Sequence, residues 1–257
     1  MAEINREYIK KLFNEYTLAY NVEDTKIKLK IDHTFRVADL CERIAQNIGL
    51  SKAQTDLVWL MGMLHDIGRF EQIKRFNTFS DLDSVDHADF GADLLFVDKL
   101  IDRFIYSDNV ELNRNELKSL EIAIRNHNKY RIEDGLTDED IVYCNILRDA
   151  DKIDIFRVNY DIPLEEIYNV TTEQLKSGKV SVEVKKCFDE RHAVTRNIRK
   201  TAVDHLIGHI CLLFELIYPI SVEITKEQGY FNKLLEFESS NEDTRKWFSY
   251  MREKLDC

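Results

Sequence analysis

The chain has 257 residues, 44% of them hydrophobic and 32% charged, with 47 acidic against 36 basic side chains and a formal net charge of -11. That length suits one large domain or one domain with a modest appendage. The acidic balance argues against a broad basic face for a nucleic-acid polymer, but leaves room for a small phosphorylated ligand held by a local cluster. Only 2 prolines and 8 glycines occur, and tight turns need both, so a turn-rich β fold is disfavoured and long helices are expected.

The N-terminal stretch MAEINREYIKKLF is amphipathic and lacks an apolar signal core. No run approaches the roughly 20 apolar residues of a membrane helix; the longest, Ile210 to Ile220, is interrupted by Glu215. A cytoplasmic protein with no membrane partner is the expectation. Cys41, Cys144, Cys187, Cys211 and Cys257 include no C-x-x-C pair. Cys41, Cys144 and Cys211 sit at helical spacing among apolar residues, as reduced core cysteines do.

Helical periodicity recurs along the chain. Val37, Leu40, Cys41, Ile44, Ala45 and Ile48 form one stripe, with Gly49 as a stop. Ser51 caps a helix carrying Leu57, Leu60, Met61 and Leu64, which runs into His65-Asp66 and ends near Gly68. Residues 70–85 show no clear period and read as a loop placed to cover a site, with Glu71 and Gln72 near enough to reach it. Phe90, Leu94, Leu95 and Val97 predict a helix opened near Asp86-His87. Leu117, Leu120, Ile124 and His127 share one face of the next, and Ile141, Cys144, Leu147, Asp151, Ile155 and Val158 share a face of a fifth. Three or four further helices fill residues 172–257, the strongest containing Ala202, Leu206, Ile210, Leu213 and Ile217, and Glu242 to Leu255 closes the chain. Residues 159–180, with Pro163 and Gly178, are the best boundary candidate, yet too short and mixed to divide the chain firmly. The reading is a single helical domain over 1–257, with a core at about 30–160 and a helical extension at about 172–257.

Polar residues on apolar faces point to chemistry. Asp151 lies on the buried stripe of its helix, and a carboxylate there is costly unless paired or bound to a metal. His127 lies beside Leu120 and Ile124, His33 one turn before Val37, and His87 at a helix start. Several helices thus each deliver nitrogen or oxygen ligands to a shared interior, a set suited to first-row divalent metals in a bundle.

Three segments carry a resemblance. DHTFRVADLCERIA, LMGMLHDIGRF and ILRDADKIDIF, in that order, resemble the ligand segments of the HD-domain superfamily of metal-dependent phosphohydrolases, named for its His-Asp pair. The resemblance covers roughly residues 30–160. It implies an all-α, HD-domain-like helical bundle with additional C-terminal helices, in which His33, His65, Asp66 and Asp151 hold a metal. DHADFGADLL and RNHNKY add His87 and His127. Some branches of the superfamily bind two metals, and there Asp66 would bridge an ion on His33, His65 and Asp151 and another on His87 and His127. One ion or two of Fe, Mn, Co, Ni or Zn remain open. The HD-GYP cyclic-dinucleotide phosphodiesterases resemble this arrangement, but the chain lacks the Gly-Tyr-Pro signature and flanks His127 with Asn126 and Asn128.

The resemblance makes Asp66 and Arg69 the catalytic candidates, Arg69 being the basic residue that faces substrate. Arg36, Arg148 and Lys152 lie a turn or less from ligands and are further phosphate candidates; Lys74, Arg75, Lys129 and Arg131 could edge the pocket. His205 and His209 share a helix face, but lie beyond the family segment and lack a zinc-protease pattern, so core or supporting roles are expected. His192, in a charged stretch, is expected to be exposed. The function expected is hydrolysis of a nucleotide or other small phosphorylated metabolite by a metal-activated water. A di-iron oxygenase cleaving a C–C or C–P bond would use the same ligands, and a nucleotide-sensing module is a third reading. Residues 172–257 complete the pocket or offer a face for a homo-oligomer.

Overall fold

The computed structural model describes residues 4–105 and 110–255. Among the described residues there is no sheet; the β contact is an isolated antiparallel bridge between Ile4 and Val110. The fold is all-α, as expected. Packing divides the chain into two compact units, Met1–Asp151 and Lys152–Cys257. Sequence alone pointed to residues 159–180 as a boundary, whereas this division falls within one long helix.

The first unit contains α1 (Arg6–Thr17), α2 (Thr25–Asn47), α3 (Lys52–Leu64), α4 (Ile67–Phe76), α5 (His87–Ala92), α6 (Asp102–Ile105), α7 (Arg114–Asn126) and the start of α8 (Asp138–Asp161). Side chains close the orphan N–H groups of the helix starts: Asp24 caps α2, Ser51 and Gln54 form a capping box on α3, and Asn113 and Glu116 form one on α7. Gly49, at φ +82°, ends α2 as expected. A Cβ on Gly62 would lie 2.6 Å from the Ala38 Cα, so only glycine lets α3 press this close to α2. Val37, Cys41, Ile44, Val58, Met61 and Leu64 are buried beside that crossing.

The helix predicted to end near Gly68 ends at Leu64, with His65 still in helical conformation. Asp66 leaves it (φ -103°, ψ 16°) and the chain re-enters helix at Ile67. Residues 70–76, expected as loop, are therefore the body of α4. Ile67, Phe70 and Ile73 are buried at helical spacing, but buried Gln72 beside them interrupts the apolar period. Asn77, left-handed at φ 53°, stops the helix. Residues 77–86 do form a connection, holding one 3₁₀ turn at Asp81–Asp83. After α5, capped by Asp86, a π-helical turn (Asp93–Val97) shifts the register, so Leu95 is buried while Val97 is exposed.

The second unit contains the rest of α8, then α9 (Leu164–Tyr168), α10 (Thr172–Ser177), α11 (Val182–Asp189), α12 (Ala202–Ile210), α13 (Pro219–Gln228), α14 (Tyr230–Leu235) and α15 (Glu242–Lys254). Phe156, Val184, Phe188, Leu206, Ile210, Phe231, Phe248 and Met251 form its core. The stripe predicted to run on to Ile217 stops earlier: α12 ends at Ile210, a 3₁₀ turn follows, and Ile217 is exposed. Cys41, Cys144, Cys187 and Cys211 are free and buried, and Cys257 lies outside the described residues. No described helix is long and apolar enough to cross a membrane.

Candidate metal centre

Two tight crossings gather the polar groups of the first unit. Gly62 lets α3 close on α2, which carries His33. At the other crossing a Cβ on Gly68 would lie 2.5 Å from the His87 carbonyl oxygen and 2.7 Å from the Gly91 nitrogen. Close packing of α4 on α5 therefore sets His87 beside Asp66. His127 follows directly on α7, and Asp151 lies on α8.

The six residues do come together, in two groups that share Asp66. Asp66 Oδ2 lies 3.5 Å from His33 Nε2 and 3.5 Å from His65 Nε2, and Asp151 Oδ1 lies 3.1 Å from His33 Nε2 and 3.9 Å from His65 Nε2. Asp66 Oδ1 lies 3.4 Å from His87 Nε2 and 3.8 Å from His127 Nε2. The sets His33–His65–Asp66 and Asp66–His87–His127 each offer donor atoms close enough to share one ion, and all five residues are buried.

The backbone and one carboxylate select which nitrogen each ring presents. His65 Nδ1 donates to the Gly62 carbonyl at 2.7 Å and His127 Nδ1 to the Ile124 carbonyl at 2.7 Å. His87 Nδ1 donates to the Asp81 carboxylate at 2.9 Å. In the neutral tautomers so fixed, each Nε2 carries a bare lone pair. His65 Nε2 is buried with no hydrogen-bond partner, and an orphaned buried acceptor is costly. His87 Nε2 and His127 Nε2 face each other at 3.0 Å, a repulsive arrangement of two lone pairs unless a cation lies between them. Two nitrogens on one divalent ion, each about 2.1 Å from it and at right angles, are about 3 Å apart. The donor set therefore fits a metal at both groups.

Charge states agree with that fit. Burial pushes His65 down to about 3, and burial with the Arg69 charge pushes His87 down to about 4, so both imidazoles are neutral at neutral pH. Burial opposes ionisation of Asp66, but Lys30 above all, with Arg69, holds it well below the usual carboxylate range. Burial likewise opposes charge on Asp151, and the His33 ring, whose Nε2 lies 3.1 Å away, overrides it and holds the carboxyl well below the usual carboxylate range. Neutral histidines and ionised aspartates are the forms that bind a divalent metal.

Lys30, which the sequence gave no reason to single out, lies one helical turn before His33 and places its Nζ 2.5 Å from Asp66 Oδ2. Arg69 Nε lies 3.6 Å from Asp66 Oδ1 and is buried with no hydrogen-bond partner, while its Nη1 donates to Gln72, the Phe79 carbonyl and Asp81. Both cations sit 5.6 Å from the Phe79 ring centre. Lys30, Phe79 and Asp81 were missed because none of them breaks an apolar period.

The other sequence candidates take other positions. Arg148 Nη1 donates to the Asn126, His127 and Lys129 carbonyls, clamping the end of α7. Lys152 Nζ donates to the Glu215 carbonyl within the second unit. Arg36 is half-buried on α2. Glu71 faces Tyr20, Lys74 and Arg75, whereas Gln72 is buried and ties α4 to Ser84 and Val85. Arg75 lies over Phe90, Lys129 pairs with Glu133, and Arg131 lies over Tyr130. His209 bonds Asn159 and Tyr168 in the second unit, His205 stacks on Tyr168, and His192 is 36% exposed beside Glu190.

The HD domain family matches residues 31–155. These residues belong to the HD-domain superfamily. Over 52 residues the chain is also 36% identical to the 3'3'-cGAMP-specific phosphodiesterase 1 of Vibrio cholerae, a match covering 20% of this chain and 12% of that protein. No solved structure matches.

Proposed function

We propose that this HD domain is a metal-dependent phosphohydrolase acting on a small phosphorylated metabolite of the nucleotide class, with two metal ions that share Asp66. One observation carries the reading. Two cations, Lys30 and Arg69, lie against the carboxylate common to both donor groups. A double donor set alone would serve oxygen chemistry equally well, but cations beside it suit the anionic oxygens of a phosphoryl group.

A bound divalent metal would make water a better nucleophile at neutral pH and polarise a phosphoryl oxygen. The protein's own groups do the rest. Asp66 offers one oxygen to each group, and the Gly62 and Ile124 carbonyls with Asp81 hold three imidazoles in the metal-binding tautomer. Lys30 and Arg69 are placed to offset charge developing on phosphoryl oxygens, and Asp81 with the Phe79 carbonyl fixes the Arg69 fork. The face of the Phe79 ring, 5.6 Å from each cation, adds a cation–π attraction that helps hold them in place. The partial relative acts on a cyclic dinucleotide, which supports a phosphodiester among the substrates to be tried. The missing Gly-Tyr-Pro signature makes mononucleotides and their cyclic forms equally worth testing.

The test joins metal content to turnover. Protein purified without added metal or chelator is analysed for elements, then offered a panel of nucleoside mono-, di- and triphosphates, cyclic mononucleotides and 3'3'-cGAMP. The expected result is about two ions per chain and phosphate or phosphomonoester release from at least one substrate. Two irons with oxygen uptake and no phosphoryl release would replace this reading with the oxygenase. Tight nucleotide binding without turnover in the metal-loaded protein would replace it with a sensing module.

A further inference from the structure

Asp81 stands outside both donor groups, yet three of the site's polar side chains converge on it. It opens the 3₁₀ turn between α4 and α5, and its carboxylate is 6% exposed. His87 Nδ1 lies 3.0 Å from Oδ1 and 2.9 Å from Oδ2, Arg69 Nη1 donates to Oδ1 at 2.9 Å, and Gln72 Nε2 donates to Oδ1 at 3.1 Å. The same Arg69 nitrogen reaches the Phe79 carbonyl at 2.7 Å, and the same Gln72 amide reaches Ser84 Oγ at 2.9 Å and the Val85 carbonyl at 3.0 Å. One carboxylate thus joins a candidate metal ligand, a candidate substrate cation and the segment between the two helices.

We propose that Asp81 is a positioning residue: it sets the affinity of the His87–His127 group for its ion and ties that ion to the placement of Arg69. The inference rests on the two-ion reading above. Its physical basis is the tautomer. Where a carboxylate accepts the Nδ1 proton, Nε2 is left free and more basic, and such partners change metal affinity by about 10–100-fold. An Asn at this position would keep its one oxygen where Oδ1 meets Arg69, Gln72 and the edge of His87. Its NH2 would then replace Oδ2, facing His87 Nδ1 at about 2.9 Å, donor against donor. The Asn oxygen, 3.0 Å from Nδ1, can still accept its proton, but a neutral amide leaves Nε2 less basic and its NH2 crowds the ring, and both effects weaken metal binding. The Asp81 hydrogen bonds described above run to His87, Arg69 and Gln72, on the side of the second group, so the His33–His65–Asp151 group is expected to keep its ion.

The experiment titrates Co(II) into chelator-treated full-length protein, followed by calorimetry and by the visible absorption of the bound ion. Wild type is expected to take up two ions. Asp81→Asn is expected to hold the first unchanged and bind the second about 10–100-fold more weakly. Equal weakening of both ions would make Asp81 merely structural and overturn the inference, as would two unchanged affinities. Uptake of a single ion by wild type would instead remove the two-ion reading on which the inference stands. The nitrogen-15 shifts of the metal-free wild type give a check that needs no variant to fold: His87 is expected as the Nδ1–H tautomer, and an Nε2–H tautomer would overturn the proposal.

Discussion

In the first unit His65, His87 and His127 spend their Nδ1 protons on fixed acceptors and turn three bare Nε2 atoms toward one carboxylate. In the second unit His209 turns its Nδ1 into a triangle with Asn159 Oδ1 at 2.8 Å and Tyr168 Oη at 2.9 Å, closed by the Tyr168–Asn159 hydrogen bond. The second arrangement is complete within the protein: Asn159 Oδ1 accepts twice and its amide donates to the Ile155 carbonyl. The first is incomplete, with His65 Nε2 and Arg69 Nε buried and without partners. Helical spacing alone makes His205 and His209 as plausible a ligand pair as any in this chain. What separates the two regions is whether the protein itself supplies the last partner.

That contrast breaks most sharply at Asp66. Asp66→Ala removes the carboxylate common to both groups and leaves Lys30 and Arg69 without their shared anion. Hydrolysis is expected to fall to background and both ions to be lost, while circular dichroism stays helical. Full turnover would remove the metal mechanism altogether. A smaller effect comes from the crossings that build each region. Gly68→Ala drives a methyl into the backbone of α5, whereas Gly208→Ala meets the side chain of Arg199, 2.6 Å from its Nε. Backbone cannot swing aside, so Gly68→Ala is expected to cost about 1–3 kcal/mol in urea unfolding. It should also weaken the His87–His127 ion, because His87 starts the displaced helix. Gly208→Ala is expected to cost less than Gly68→Ala and to leave both ions in place. Equal costs would show that the α4–α5 contact is softer than its distances imply.

How much of this was legible beforehand follows from the same physics. All six ligand candidates could be read from the chain, because His127 and Asp151 sit at apolar positions and His65-Asp66 ends an apolar helix. A polar residue on an apolar stripe announces itself. Lys30 and Asp81 lie on half-polar faces and in a connection, where charge is ordinary, and only three-dimensional convergence marks them. Arg148 shows the opposite case. Its place near Asp151 suggested phosphate, but a guanidinium beside a helix end finds carbonyls first. The body of α4 was hidden by Gln72, a buried side chain whose role is to hold residues 81–85 and not to pack. Asn77, left-handed at the end of α4, was the one local signal that could have marked it.

The smallest expected effect tests the closed half of the comparison. Burial, with the charges of Arg199, His205 and Arg196 adding to it, pushes His209 down to about 3. An unfolded histidine titrates near 6.5, so between about pH 6.5 and pH 3 the unfolded chain holds a proton there that the folded chain refuses. Stability is therefore complete above about pH 6.5 and is lost as the pH falls through that window. His209→Gln keeps a polar group at the position but cannot take up the proton. Urea unfolding of metal-free protein at about pH 7 and about pH 4.5 should show wild type losing more stability than the variant, by on the order of 1 kcal/mol. The depressed histidines of the first unit titrate in both proteins and cancel in the difference. A parallel loss would mean that His209 titrates like a solvated ring, and the Asn159–Tyr168 triangle would then be too weak to count as the partner the protein supplies.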